Sequence, residues 1–281
     1  MSTQHLLDTP ATIQTTSNGK PAGTVRLDHL LARFSPISLQ EMEHVALLDR
    51  TDTKMLLTLD QLSNALHHLS DHYRVLEIEG RRRHHYQTLY FDTPDLDFYH
   101  QHHNRKRNRY KVRERAYVDS DLTFVEVKHK TRSDRTIKHR RPVPELTTEF
   151  CTHAAAFIQT HAPLGAEALR PTLWNDFQRI TLASSRCVER VTLDVNLRFR
   201  RDGTWVALPG VAIAEVKQAR FSYDSSFLRE MRYLGVRPTS FSKYCTGVSL
   251  LYPGVKHNAF KPRMLHIERV LQADQRNWRI G

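Results

Sequence analysis

Between Arg107 and Lys130 the sequence alternates with a period of two through two consecutive runs, and the charged positions fall in phase. In RNRYKVRERAY every odd position is cationic: Arg107, Arg109, Lys111, Arg113 and Arg115. Successive side chains of a β-strand point to opposite faces, so these five share one. After a turn at Asp119-Ser120-Asp121, Glu126, Lys128 and Lys130 share one face of the next run and Val125 and Val127 the other. Like charges about 7 Å apart along a face repel by roughly 0.6 kcal/mol in water and about 2.4 kcal/mol at an effective dielectric constant of 20. An open surface tolerates this, whereas an enclosed one needs carboxylates or a bound polyanion. A solvated antiparallel face with cross-strand ion pairs explains a single such strand equally well, so the rest of the chain decides.

The pattern recurs. Arg50, Asp52 and Lys54 alternate onto one face at the start of an apolar run. Around Arg179, Phe177 and Thr181 take its face, and Trp174, Ile180 and Leu182 the other. In ERVTLDVNLRFRR, Val191, Leu193, Val195, Leu197 and Phe199 read as a core face, opposite Thr192, Asp194, Asn196, Arg198 and Arg200. Asp202-Gly203 signals a hairpin, and Glu215 and Lys217 in AEVKQ echo the VEVKHK run. Further strands are expected over 73–79 and 84–93. Between the strands lie amphipathic helices: one capped by Ser38, one through Leu59, Leu62, Leu66 and Leu69, one capped by Thr147 or Thr148, one by Asp224 or Ser225, and one by Ser240. Lys243 falls in the first turn of the last, where the helix dipole favours acids. The doublets His67-His68, His84-His85 and His102-His103 lack the spacing of a helical metal site and read as exposed imidazoles. Cys151, Cys187 and Cys245 imply neither a disulfide framework nor a metal site.

Residues 1–25 offer few large apolar groups and read as a disordered tail. Residues 26–255 form the domain, and 256–281 a peripheral basic tail with a short helix near Met264–Leu271. With no apolar signal segment and no run of 18 apolar residues, the expected location is cytoplasmic, at most peripheral to a membrane. The net charge of +12 favours a polyanionic partner. Helices covering the apolar faces would turn the ionic faces inward. Closing such an antiparallel sheet would make an α+β fold, a barrel with a charged lumen flanked by helices. Such a lumen suits a phosphate chain with a divalent metal, because Lys and Arg neutralise phosphate oxygens and carboxylates ligate Mg²⁺ or Mn²⁺.

Taken in order, Arg-x-Asp-x-Lys at 50–54, YFDTPDLDFY at 90–99, NRYKVRERAY at 108–117, FVEVKHK at 124–130, the Arg179 strand, TLDVNL at 192–197, AEVKQ at 214–218 and FSKY at 241–244 resemble the VTC domain. That is the polyphosphate polymerase branch of the CYTH, or triphosphate tunnel metalloenzyme, superfamily. The resemblance spans about 26–252. It implies an eight-stranded antiparallel tunnel, closed as a barrel and flanked by helices, and transfer of the γ-phosphoryl group of ATP onto inorganic polyphosphate, with Mn²⁺ or Mg²⁺ as cofactor. It implies phosphate-binding roles for Lys54, Arg113, Arg115, Lys128, Arg179 and Lys243, with Lys130, Arg198 and Lys217 as additions. Glu215 corresponds to the metal-binding glutamate, with Glu126 and Asp194 as helpers. The wider superfamily opens with Glu-x-Glu-x-Lys; Arg50 and Asp52 replace both glutamates here, which removes a metal carboxylate and favours a polymerase over a hydrolase. A triphosphatase or nucleotide hydrolase on the same tunnel, and a non-catalytic polyanion or nucleic-acid binder, stay as alternatives. The chain encodes no membrane span, and a separate membrane partner is left open.

Overall fold

A computed structural model describes residues 22–43, 51–133, 135–222 and 224–278. Residues 1–21, most of the stretch read as a tail, lie outside the described residues, as does Arg50. The chain runs α1 (Ala22–Ala32), β1 (Ser35–Ile37), α2 (Leu39–Glu43), β2 (Thr51–Thr58), α3 (Leu59–Leu69), β3 (Tyr73–Leu76), β4 (His84–Asp92) and α4 (Asp97–His103). It continues through β5 (Arg109–Tyr117), β6 (Leu122–Lys130), β7 (Thr136–Val143), α5 (Thr152–His161), β8 (Arg170–Ser184) and β9 (Glu189–Arg201). It ends with β10 (Thr204–Leu208), β11 (Val211–Gln218), α6 (Ser226–Tyr233), α7 (Lys243–Leu251) and α8 (Lys261–Trp278).

One sheet of 11 strands carries the fold, in the order β2-β11-β9-β8-β4-β5-β6-β7, with β1, β3 and β10 attached to its sides. Every neighbouring pair along that path is antiparallel. The expected closed eight-stranded barrel is thus corrected: the sheet has more strands and stays open between β2 and β7. The edge of β2 that would complete a barrel is already used. Lys54 O accepts from Thr239 N at 2.7 Å, and Met55 bridges to Pro238. On the other side β7 carries Pro142, which has no amide to give a further strand, and its exposed cations oppose pairing.

The outer face of β2, β11, β9 and β8 buries Met55, Leu57, Ala214, Val216, Leu193 and Leu182 beneath α1, α3 and α6. Thr58 and Gln61 form a reciprocal cap at the start of α3, and its Leu62, Leu66 and Leu69 are buried as their spacing predicts. A second outer cluster lies under α5, where Ala154, Phe157 and Ile158 meet Leu89, Val112, Val125 and Val127.

The concave face is ionic only over part of its length. Leu56 and Ile213 share the face of Lys54 and Glu215, and with Val211, Leu197, Phe199 and Leu173 they receive α7 at one end. Gly247 permits that approach, since a Cβ there would lie 2.4 Å from Leu173 Cδ2 and 2.7 Å from Phe199 Cδ1. The tail read as peripheral is instead a packed helix: Met264, Ile267 and Val270 of α8 are buried in this cluster beside Phe260.

Local departures have local causes. Ser242, not Ser240, caps α7, its Oγ accepting from Cys245 N at 3.2 Å. Helix α5 starts after Cys151 because the Thr147 amide is bound by Glu114 at 3.1 Å. Ser225 caps α6. His67 and His68 are exposed, but His84 and His103 are buried and His102 half-buried, so the exposed reading fails for those doublets.

Candidate active site

Three carboxylates anchor the concave face, each held by two cations. Arg113 on β5 meets Glu126 directly across β6, Nε donating at 2.6 Å and Nη2 at 2.5 Å, and Lys138 of β7 takes the other oxygen. Arg179 on β8 grips Asp194 of β9 in a two-pronged pair at 2.6 and 2.8 Å, and Lys243 from the first turn of α7 adds a third contact. Lys54 on β2 pairs with Glu215 of β11, whose second oxygen lies 3.3 Å from Lys217 Nζ. Burial alone would raise these carboxyls. Arg113 instead holds Glu126 well below the usual carboxylate range, Arg179 does the same for Asp194, and Lys217 with Lys54 for Glu215.

The position of Lys243 at N1 follows from the Ser242 cap, and its cost against the helix dipole is offset by Asp194. Aromatic rings line the same region. Phe177 carries Lys243 Nζ at 4.4 Å and Arg179 Cζ at 5.4 Å from its centroid, and Tyr86 stacks on Phe177 at 5.2 Å. Arg115 is 6 % exposed; its Nε donates to Thr88 Oγ1 at 3.1 Å and its guanidinium stands 5.6 Å from the Tyr86 ring. Burial and then Arg113 lower its pKa.

A cavity of about 910 Å³ opens at the gap between β7 and β2. Lys54, Arg105, Arg109, Lys111, Lys128, Lys130 and Arg263 line it, with Asp52 as the one lining carboxylate among the described residues. Lys111 and Lys128 face each other across β5 and β6, with Lys138 next in the same row. Like charges directly opposed in a sheet destabilise it. Lys111 donates to a neutral hydroxyl, Ser242 Oγ at 3.1 Å. Burial pushes Lys111 and Lys128 down to about 8, and the cations around each push the same way: Arg113, Arg109 and Lys54 for Lys111, Lys111 and Lys54 for Lys128. The wall therefore holds more positive charge than its own carboxylates neutralise.

The structure gathers Lys54, Arg113, Arg115, Lys128, Arg179, Lys217, Lys243, Glu126, Asp194 and Glu215 on one concave face, with Lys130 at the cavity. Arg198 does not join them. Asn196 has a φ of 55°, and there two residues of β9 pass one of β8, so the alternation reverses. Leu197 and Phe199 turn inward, while Arg198 turns outward to Asp176 at 2.7 Å and Trp205 at 5.6 Å, with its side chain 52 % exposed. Lys111 and Lys138 are site residues absent from the sequence-derived set. Lys111 shares the odd-numbered phase of Arg113 and Arg115 and was legible from it, whereas Lys138 depends on a β6–β7 register that no local pattern gives.

Residues 49–252 match the VTC domain. The chain belongs to the VTC domain family. Among curated proteins none matches its sequence. Solved structures that resemble this VTC-domain chain share little sequence with it. A candidate adenylate cyclase from Bacillus halodurans is 10% identical over 73% of this chain and 97% of its own, with a TM-score of 0.45. One from Vibrio parahaemolyticus is 14% identical over 72% and 98%, with a TM-score of 0.42. A candidate adenylyl cyclase from Hippeastrum, in which triphosphatase activity is dominant, is 13% identical over 71% and 96%, with a TM-score of 0.45. No described helix is long and apolar enough to cross a membrane.

Proposed function

We propose that this VTC-domain protein is a polyphosphate polymerase, moving the γ-phosphoryl group of ATP onto the end of an inorganic polyphosphate chain on the concave face. The observation that carries this reading is the lysine pair Lys111–Lys128 beside Lys54: like charges directly opposed, Lys111 half-buried and Lys128 exposed, both lowered in pKa, at a cavity where Asp52 is the one lining carboxylate among the described residues. A phosphate chain supplies the missing counter-charge along several residues at once.

Transfer breaks the bond between the γ-phosphorus and the β,γ-bridging oxygen, forms one to a terminal oxygen of the acceptor chain, and releases ADP. That acceptor oxygen is already anionic, so no general base is needed, and the work is alignment and charge stabilisation. Arg113 and Arg179, held by their carboxylates, are fixed donors that need no reorganisation as charge shifts between oxygens. Lys54, Lys111 and Lys128 bind the chain, with Lys130 beside them, and Arg115, Lys217 and Lys243 complete the cationic wall. The apolar packing of α7 excludes water from one end, which favours an anionic acceptor over hydrolysis.

The family resemblance implies a divalent metal, Mg²⁺ or Mn²⁺. The described residues contain no group of three or more His, Cys, Asp or Glu placed to hold one. What fits is a metal arriving with its phosphate oxygens and waters, which needs only one or two carboxylates. Glu215 keeps 18 % of its side chain exposed, against 5 % for Asp194 and 1 % for Glu126, so Glu215 is the residue that would hold it. Lys54 and Lys217, which pair with Glu215, would then be the cations beside it that meet phosphate. When bound, the metal would neutralise phosphate oxygens. A nucleic-acid binder is disfavoured, because Tyr110 is stacked on His129 at 4.1 Å and Tyr117 packs on Tyr86 at 4.8 Å, leaving neither free for a base.

The test incubates the purified chain with ATP and Mn²⁺ and resolves long chains from free phosphate on a gel. Chains that disappear in Glu215→Gln support the assignment; free phosphate without chains replaces it with the hydrolase reading.

A further inference from the structure

Asp92 ends β4, and none of the roles above uses it. It is fully buried, and its carboxylate collects four hydrogen bonds. Oδ1 accepts from the amides of Thr93 and Phe98, both at 2.8 Å, and Oδ2 accepts from the Tyr99 amide at 2.9 Å and from the Tyr244 hydroxyl. The Phe98 and Tyr99 amides belong to the first turn of α4, which lacks its own side-chain cap because Leu96 precedes it at a φ of 58°. Asp92 therefore satisfies those orphan donors from a distance. The remaining bond reaches a different helix. Tyr244 follows Lys243 in α7, and Lys243 meets Asp194 on the concave face.

One carboxylate thus joins β4, α4 and α7. Farther along α7 the Tyr99 hydroxyl meets Ser249 Oγ at 3.1 Å and donates to Lys256 O at 3.0 Å. Helix residues step by about 100° about the axis, so a small rotation of α7 carries residue 243 off the concave face. The Ser242 cap fixes where α7 begins, its apolar packing limits its rotation, and the bond from Tyr244 to Asp92 adds a directional constraint on that rotation at the turn that carries Lys243. Sequence gave no role to Asp92 in YFDTPD or to the tyrosine of FSKY, although both stood among the motifs.

We propose that Asp92 is a positioning residue: by anchoring the Tyr244 hydroxyl it sets the rotation of α7 and holds Lys243 toward bound phosphate. The inference rests on the concave face being a phosphate site. It is tested on the full chain by calorimetric titration with tripolyphosphate, which reads binding without turnover. Tyr244→Phe removes only the hydroxyl. The ring keeps its packing on Tyr90, whose centroid lies 5.0 Å away, and Asp92 keeps its three amide bonds. Tyr244→Phe is expected to weaken binding roughly tenfold, the loss of one charged contact. In a Lys243→Ala background the same change should cost less than about twofold, because the group being positioned is gone. Asp92→Asn should follow the same pattern, and Tyr244→Phe carries the test alone if that variant does not fold. Equal losses in both backgrounds, or no loss in Tyr244→Phe, overturn the proposal while leaving the phosphate site standing. Absence of tripolyphosphate binding by the unaltered chain overturns both.

Discussion

Arg113 and Lys128 project from neighbouring strands onto the same concave face, yet their surroundings are opposite. Arg113 is clamped at 2.5–2.6 Å to Glu126, and that pairing holds its charge firmly in place. Lys128 faces Lys111 and has its pKa pushed down to about 8. One cation has its counter-charge within the protein; the other faces a like charge. Fixed ion pairs supply the frame, and in the proposed function the under-neutralised lysines are the groups that take phosphate. Each prediction below attacks one side of that contrast.

Removing a clamped cation should do the most damage. In Arg113→Ala, Glu126 stays buried with Lys138 alone, and breaking a buried pair costs about 3–5 kcal/mol. A lower melting temperature is expected together with a loss of chain synthesis of about 100- to 1,000-fold, as for removal of one preorganised donor. Unchanged melting in Arg113→Ala would show that the pair contributes nothing to the frame.

Lys128→Ala should separate the two effects. Tripolyphosphate affinity is expected to fall about 10- to 100-fold, the range for a hydrogen bond to a charged group. Stability should hold or rise, because repulsion from Lys111 and Lys54 is relieved. Calorimetry paired with thermal melting checks both halves, and a stability loss comparable to that of Arg113→Ala would erase the distinction.

The pH dependence follows from the same lysines. Lys111 and Lys128 titrate near 8 in the folded chain and near 10.4 when unfolded, so between those values the unfolded state binds more protons. Folding stability contributed by these groups therefore rises with pH across that window. Binding runs the other way. Phosphate restores their protons, so complex formation takes up protons above pH 8, and affinity should fall about tenfold per contacting lysine from pH 7 to 9. Affinity that stays flat over this range would mean that these lysines do not meet the ligand.

How far the sequence reveals this depends on what each feature requires. Alternation locates β5 and β6 because it is local, and the cross-strand pairing of Arg113 with Glu126 follows from the short turn between them. Closure is not local. Whether β2 meets β7 depends on Pro238 and Thr239, some 180 residues beyond β2, taking its edge first. Lys138 escaped for a related reason: the longer β6–β7 connection leaves its register undetermined. The packing of α8 was missed because its apolar positions are sparse among cations and match only the cluster around α7. Asp92 and Tyr244 were visible as motif letters, but their bond joins positions far apart in the chain.

Arg198 gives the smallest effect and tests how a charge should be assigned to a face. Strict alternation from Asp194 places it toward the lumen, but the positive φ at Asn196 inserts an extra residue and turns it outward against Trp205 and Asp176. Its ion pair is half exposed, so the pair contributes about 0–1 kcal/mol to stability. Arg198→Ala should leave tripolyphosphate affinity and chain synthesis within about twofold of the unaltered chain. Asn196→Gly, which accepts the same φ, should be equally silent, whereas a β-branched Asn196→Val is strained in that region and should lower the melting temperature. A large loss of binding in Arg198→Ala would restore the unbroken strand. It would then move Leu197 and Phe199 outward and remove the apolar floor on which α7 sits.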